Sequence, residues 1–168
     1  LILFRRQRQM CIRDSPFAPN PLVVVAPKDH PLVGRKGITI EELAEYPFIG
    51  REPGSGTREA VRRVFMEKGP LPKVKMELGS NEAIKHAVVA GLGLAVLSLH
   101  SLTLDGPDGP LALLDVESFP IVRQWYIVHP KGKELSLVAQ AFLEYALEVE
   151  PAKREQMRNC WPGLNLKS

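Results

Sequence analysis

Apolar positions along the chain follow two different periods. Leu22-Val23-Val24-Val25-Ala26 is an unbroken run of mostly β-branched residues, the pattern of a strand buried on both faces. Tyr46-Pro47-Phe48-Ile49 and Leu92 to Leu97 are shorter runs of the same kind. Lys73 to Leu78 alternates, with Val74, Met76 and Leu78 on one side, which predicts a half-exposed strand. Leu111 to Val116 and Ile121 to His129 read as two further strands, the second carrying Trp125 and Tyr126. Helical spacing fills the intervals: Ile40, Leu43 and Ala44; then Ala60, Val61, Val64 and Phe65; then Ile84, Ala87 and Val88. A last amphipathic helix carries Val138, Ala139, Phe142, Leu143, Ala146 and Leu147 on one face.

Punctuation residues agree with these boundaries. Thr39 and Glu42 form a capping box ahead of the first helix, which Pro47 ends. Ser80 or Asn81 caps the third helix and Ser136 the last, while Gly69 and Gly91 are suited to closing helices. Gly91-x-Gly93 follows a helix instead of joining a strand to one, so helix termination explains it better than a dinucleotide fingerprint. Pro27 to Pro31 is a turn in which His30 serves a local hydrogen bond, and Gly106 to Pro110 is another turn. Beyond Pro151 the composition becomes polar, and a frayed extension is expected there. Strands alternating with helices imply an α/β layered fold, a mostly parallel sheet with flanking helices. Ligands bind such sheets beyond the carboxyl ends of the strands.

The stretch Arg51-Glu52-Pro53-Gly54-Ser55-Gly56-Thr57-Arg58 stands between a strand and a helix. Pro53 with Gly54 and Gly56 makes a tight turn, and Ser55 or Thr57 can cap the helix that follows. Unpaired N–H groups and the positive pole of a helix make such a turn a seat for an anion. Glycine and serine also serve any ordinary strand-to-helix turn, and no Gly-Lys-Ser/Thr follows to complete a phosphate loop. Two such helix starts, near Thr57 and Asn81, would favour a small anion by about 0.3–1 kcal/mol each. Arg51 and Arg58 can fork a carboxylate or phosphate, or simply be solvated. Glu52 and Glu82 read as solvated or capping groups before they read as a catalytic pair, and Trp125 and Tyr126 as packing before ligand stacking.

Composition limits the classes of function. The chain has 168 residues, 45% of them hydrophobic, enough for the core of one ordinary domain. Its net charge of +3 comes from Arg5, Arg6, Arg8 and Arg13; setting aside residues 1–15, with Asp14, leaves eighteen basic and eighteen acidic side chains. A neutral body gives no footprint for nucleic acid. Residues 1–15 are too short an apolar segment to span a membrane, resemble translated adapter read-through, and are expected to form a non-native arm. Cys11 and Cys160 define neither a disulfide framework nor a metal pair, so a reducing cytoplasm is the default. No nucleophile with a supporting base and no set at metal-ligand spacing is present, which argues against an enzyme, a metal site and a cofactor.

The strings REPGSGTRE, ELGSNEAIKHAVVAGLGLAVLS and FPIVRQWYIVHPKGKELSLVAQAFL, preceded by LVVVAPKDHPL, resemble the effector-binding domain of LysR-type transcriptional regulators. The third string most resembles the regulators of Calvin-cycle (RuBisCO) operons. The resemblance spans Pro21 to about Leu147 and implies a two-lobed type II periplasmic-binding-protein-like fold. It also implies a small anionic, phosphorylated or nucleotide effector, a homo-oligomer (dimer or tetramer), promoter DNA bound only through an N-terminal domain that this chain lacks, and no membrane partner. Effector contacts would fall on Arg51, Pro53, Gly54, Ser55, Gly56, Thr57, Arg58, Ser80, Asn81 and Glu82, and the hinge on Val25, Ala26, Trp125 and Tyr126. The organisation so implied is an arm over 1–15, a lobe-one hinge strand over 16–26, an effector-binding lobe two over 27–120, a returning strand and lobe-one helix over 121–150, and a polar tail over 151–168. Lobe one would be incomplete, leaving the apolar face of its helix uncovered and the chain unable to enclose an effector. A transport-associated solute-binding protein of the same architecture is the alternative.

Overall fold

Buried alternation organises the sheet. In the computed structural model, residues 12–130, 134–162 and 164 are described, so the arm expected at the N-terminus lies outside the described residues as far as residue 11, and the end of the tail does from residue 165. The strands are β1 (Ile12–Pro27), β2 (Pro47–Arg51), β3 (Lys73–Leu78), β4 (Leu94–Ser98), β5 (Leu111–Leu114) and β6 (Ile121–Pro130). The helices are α1 (Ile40–Ala44), α2 (Gly56–Lys68), α3 (Asn81–Val89) and α4 (Leu137–Cys160), with a 3-10 turn over Leu99–Leu102. The strand order is β3-β2-β4-β1-β5, and β6 pairs with β1. β2 runs parallel to β3 and β4, whereas β1 runs antiparallel to β4 and β5. The α/β class holds, but the sheet is mixed where a mostly parallel one was expected.

The chain divides into two units, crossing between them at Ala18–Pro19, Arg123–Gln124 and Glu155–Gln156. In the larger unit, alternate residues of β1 serve both faces of the sheet. Leu22, Val24 and Ala26 pack with Phe48, Leu94, Val96, α1 and Phe65 of α2. Val23 and Val25 pack with Ile49, Ala95, Leu97 and the Ile84 and Val88 of α3. Each fully buried side chain of this size contributes roughly 1.5–3 kcal/mol, so this double-sided strand anchors the unit.

One local difference from the sequence expectation, in β3, has a physical cause, and three glycines show what their positions demand. On β3, Phe48 pairs with Val74 but Ile49 pairs with Met76, so the register slips by one residue at Lys75. A one-residue slip exchanges faces: Met76 and Leu78 turn toward the α3 side of the core, while Val74 is left 47% exposed. At Gly69 the backbone is extended, and room is what the position demands, because a Cβ there would stand 3.1 Å from the Ile40 side chain. Gly91 does close α3, in the left-handed region at φ 72°. Gly93 lies so close to β2 that a Cβ would be 2.6 Å from the Pro47 carbonyl oxygen.

The polar stretch beyond Pro151 is not frayed up to Cys160: α4 continues through it. Pro151 removes one helical N–H, but Met157 is buried to 2% exposure in the α3-side cluster, with Trp161 and Leu164 packed beside it. The charged residues of that stretch form the outer side of a docked helix. In the smaller unit, Ser136 caps α4 as expected, its Oγ accepting from Ala139 N at 3.3 Å. Of the face expected on α4, Val138 and Phe142 are largely exposed and Ala146 is buried, and Leu137 and Tyr145 beside them are also exposed.

Met157→Ala is expected to lower stability by roughly 2–3 kcal/mol in chemical denaturation, the cost of emptying a buried methionine site; a change near zero would mean that the end of α4 does not dock. The exposed face of α4 should bind a reporter dye for apolar surface under native conditions. A single cooperative unfolding transition without dye binding would contradict that expectation.

Candidate functional site

β2 and β3 are parallel neighbours, so each delivers its following helix from the same edge of the sheet. α2 packs through Phe65 on one face and α3 through Ile84 and Val88 on the other. The helix bodies therefore lie on opposite faces while their amino ends meet at the carboxyl edge of the strands. Arg51, the last residue of β2, joins them. Its Nη1 donates to Asn81 Oδ1 at 2.8 Å, and its Nε and Nη2 donate to Glu52 Oε2 and Oε1 at 2.7 and 2.9 Å. Arg58 donates to the Arg51 carbonyl oxygen at 3.0 Å and also pairs with Glu77. Both arginines are thus engaged within the protein, and Arg51 in particular has its fork filled by Glu52.

The turn itself is set by backbone chemistry. Ser55 N donates to the Glu52 carbonyl at 3.2 Å, and Gly54 sits at φ 87° between Pro53 and Ser55, as a type II turn requires of its third residue. The two helix starts are finished differently. Ser80 caps α3, its Oγ accepting from Ala83 N at 3.4 Å, while Asn81 serves Arg51 instead of capping. Ser55 occupies the N-cap position of α2, is nearly buried, and makes no side-chain cap bond. A helix leaves its first four N–H groups without intrahelical partners, so the start of α2, with Thr57 in its first turn, is the more open of the two.

The acidic residues do not form a pair. Glu52 is held by Arg51, whose hydrogen bond keeps its carboxyl below the usual glutamate range. Glu82 pairs with Lys85 at 3.0 Å, and Lys85 also reaches Asp105 at 2.7 Å. Burial pulls the Lys85 ammonium down in pKa, but the hydrogen bonds it donates to Asp105 and Glu82 outweigh it, and the net direction is up. His30 Nδ1 accepts from Leu32 N at 3.3 Å, the local role expected of it, and burial lowers its pKa against a smaller opposing effect of Asp29.

Of the hinge candidates, Val25 and Ala26 are fully buried in the larger unit, past the crossing at Ala18–Pro19. Trp125 and Tyr126 lie just past the second crossing and are 40% and 52% exposed. Core packing is therefore not their role, because this part of β6 turns its side chains to solvent. Arg123, which sequence reasoning did not single out, lies against the start of α2: a Cβ on Gly56 would stand 2.8 Å from its Nη1. Nothing in hydrophobic period or turn chemistry marks a lone arginine near the start of a strand. An apolar cavity of about 230 Å3, lined by Phe48, Val61, Leu71, Val74 and Glu77, opens on the α2 side and reaches both ends of the turn stretch, at Arg51 and at Thr57 and Arg58. Among the described residues no three His, Cys, Asp or Glu side chains gather as a metal site, and no helix is long and apolar enough to cross a membrane.

The Arg51–Glu52 pair is open to a direct check. Because the folded carboxyl titrates below its unfolded value, the pair persists above that range and is lost as pH falls through the lowered value. In an NMR titration, Arg51→Met should return the Glu52 midpoint upward to the ordinary glutamate range. An unchanged midpoint would show that Arg51 does not hold Glu52 in solution.

A family model described as the LysR substrate binding domain matches residues 1–151. Among curated proteins, the HTH-type transcriptional activator CmpR of Synechocystis sp. is 56% identical over 129 residues, which is 77% of this chain and 42% of that protein. A RuBisCO operon transcriptional regulator of Allochromatium vinosum is 49% identical over 140 residues, 83% of this chain and 46% of that protein. The chain thus spans a little under half the length of these relatives. Among solved structures, the Synechocystis PCC6803 CcmR regulatory domain in complex with 2-PG superposes with a TM-score of 0.77 at 45% identity, covering 85% of this chain and 69% of that one. The effector binding domain of QuiR in complex with shikimate, at 23% identity and a TM-score of 0.71, covers 87% and 68% and shares the fold. On the match over residues 1–151 and these identities, the chain belongs to the LysR substrate-binding domain family.

Proposed function

We propose that this chain is the effector-sensing domain of a cytoplasmic LysR-type transcriptional regulator, and that it holds a small phosphorylated anion where α2 and α3 begin. The observation that carries this reading is the meeting of two helix amino ends at one sheet edge, with the α2 end left without a side-chain cap. A phosphate monoester brings about 1.5–2 negative charges and three strong acceptor oxygens at neutral pH. The first N–H groups of α2 and the hydroxyls of Ser55 and Thr57 are donors of matching kind. Arg51, neutralised by Glu52, acts as the brace that keeps Asn81 and the turn together, and Ser80 and Glu82 complete the α3 side of the edge.

The relatives named as transcriptional regulators, two of them of RuBisCO operons, support regulation of carbon-fixation genes, and the 2-PG bound to the CcmR domain supports 2-phosphoglycolate as the first ligand to try. They do not favour the solute-transport alternative. The ligand binds the closed arrangement of the two lobes better, shifts the population toward it about the chain crossings at Ala18–Pro19 and Arg123–Gln124, the second beside Trp125 and Tyr126, and alters the geometry of a dimer or tetramer on promoter DNA. DNA is bound by a separate domain. The site offers donors and no activated nucleophile, so its task is binding and not catalysis.

In the full-length regulator, Thr57→Val and Ser55→Ala should each weaken 2-phosphoglycolate binding roughly three- to tenfold, the worth of one hydrogen bond to a charged group at a partly exposed site. Basal promoter binding should be retained. Calorimetric affinity unchanged in both variants would mean that the turn is structural only.

A further inference from the structure

The start of α2 carries a charge arrangement that folding alone does not explain. Arg123 stands third on β6 and lays its guanidinium across the first residue of α2: a Cβ on Gly56 would stand 2.8 Å from Nη1 and 3.3 Å from Nη2. Gly56 is not among the residues in the left-handed region. Room for Arg123 is therefore what glycine supplies at this position. A cation beside the positive pole of a helix is repelled by it, and Arg58 in the same first turn adds a second positive charge. Arg58 has Glu77 opposite it, whereas among the described residues no carboxylate pairs with Arg123. A guanidinium held against a pole of its own sign, still open to water, is an arrangement that an anion between the two would stabilise.

Arg123 is also the last residue of the larger unit before the chain crosses at Arg123–Gln124, and Trp125 follows two residues later on the same strand. We propose that Arg123 determines the preference of the site for a phosphate group and couples its arrival to the hinge strand. The phosphate lies between the α2 N–H groups and the guanidinium, screens their repulsion, and thereby fixes the beginning of β6. A ligand with the same carbon skeleton but no phosphate leaves the repulsion in place and the strand unconstrained. This inference rests on the effector reading above and adds to it a residue and a transmission step.

The test uses this chain, in which Arg123, Gly56, Thr57 and Arg58 all lie in the larger unit and Trp125 reports from just past the crossing, with Trp161→Phe so that Trp125 is the single tryptophan of the two present. The probes are 2-phosphoglycolate and glycolate, followed by calorimetry and by Trp125 emission. The Trp161→Phe protein should bind 2-phosphoglycolate in preference to glycolate and change its emission on binding. Arg123→Gln should lose roughly tenfold or more in affinity for 2-phosphoglycolate, most of the preference over glycolate, and the emission change even at saturation. Arg123→Lys should recover part of the preference, and Gly56→Ala, which displaces the guanidinium without straining the backbone, should reproduce the loss in milder form. If Arg123→Gln keeps full affinity and the full emission change while Thr57→Val weakens binding, the proposal for Arg123 fails and the effector reading stands. If the Trp161→Phe protein binds neither probe, both fail.

Discussion

Much of the site's geometry depends on the pairing of β2 with β3 as parallel neighbours. A strand can be followed by a helix on either face of the sheet, but parallel neighbours discharge their helices at one edge. α2 and α3 use opposite faces, and each face gains its own apolar cluster, yet their amino ends remain within reach of a single arginine. Arg51 then makes the proximity rigid. Its three donor positions are satisfied by the carboxylate next to it and by the first residue of α3, so the two helix starts behave as one surface.

The two ends of that surface are chemically unequal, and the inequality directs the functional reading. At α3 the serine hydroxyl and the asparagine amide are committed to internal bonds. At α2 the turn through Pro53 and Gly54 brings Ser55 into the capping position without using its side chain, and a cation from another strand approaches the same place. A finished end beside an unfinished one is the expected form of a ligand seat whose supporting half is rigid and whose binding half awaits its partner.

Much of this was legible in the sequence, because it was written in local rules. The β-branched run at Leu22–Ala26 requires burial on both faces, Thr39 and Ser80 announce helix starts, and Pro53-Gly54 specifies a turn. What escaped depends on contacts far apart in the chain. The antiparallel course of β1 is set by its entry from the other unit and not by its composition. The bulge at Lys75, which turns Val74 away from Met76, leaves the alternation of the segment looking perfect. The docking of Met157 is a single apolar contact in a polar segment, and the approach of Arg123 to Gly56 joins residues on different elements. The roles first considered for Arg51 and Glu52 illustrate the same limit: their charges were evident, but only the fold reveals that they face one another.

The central claim is that the amide groups at the beginning of α2 receive the anion. It is tested most directly by titrating the 15N-labelled chain with 2-phosphoglycolate and mapping the amide shifts. The account predicts that the largest changes fall on Gly56, Thr57 and Arg58, with smaller ones at Ser80 and Asn81. Shifts concentrated on Val61, Leu71 and Val74 in the apolar cavity or along α4, with the amides of Gly56, Thr57 and Arg58 unmoved, would contradict it.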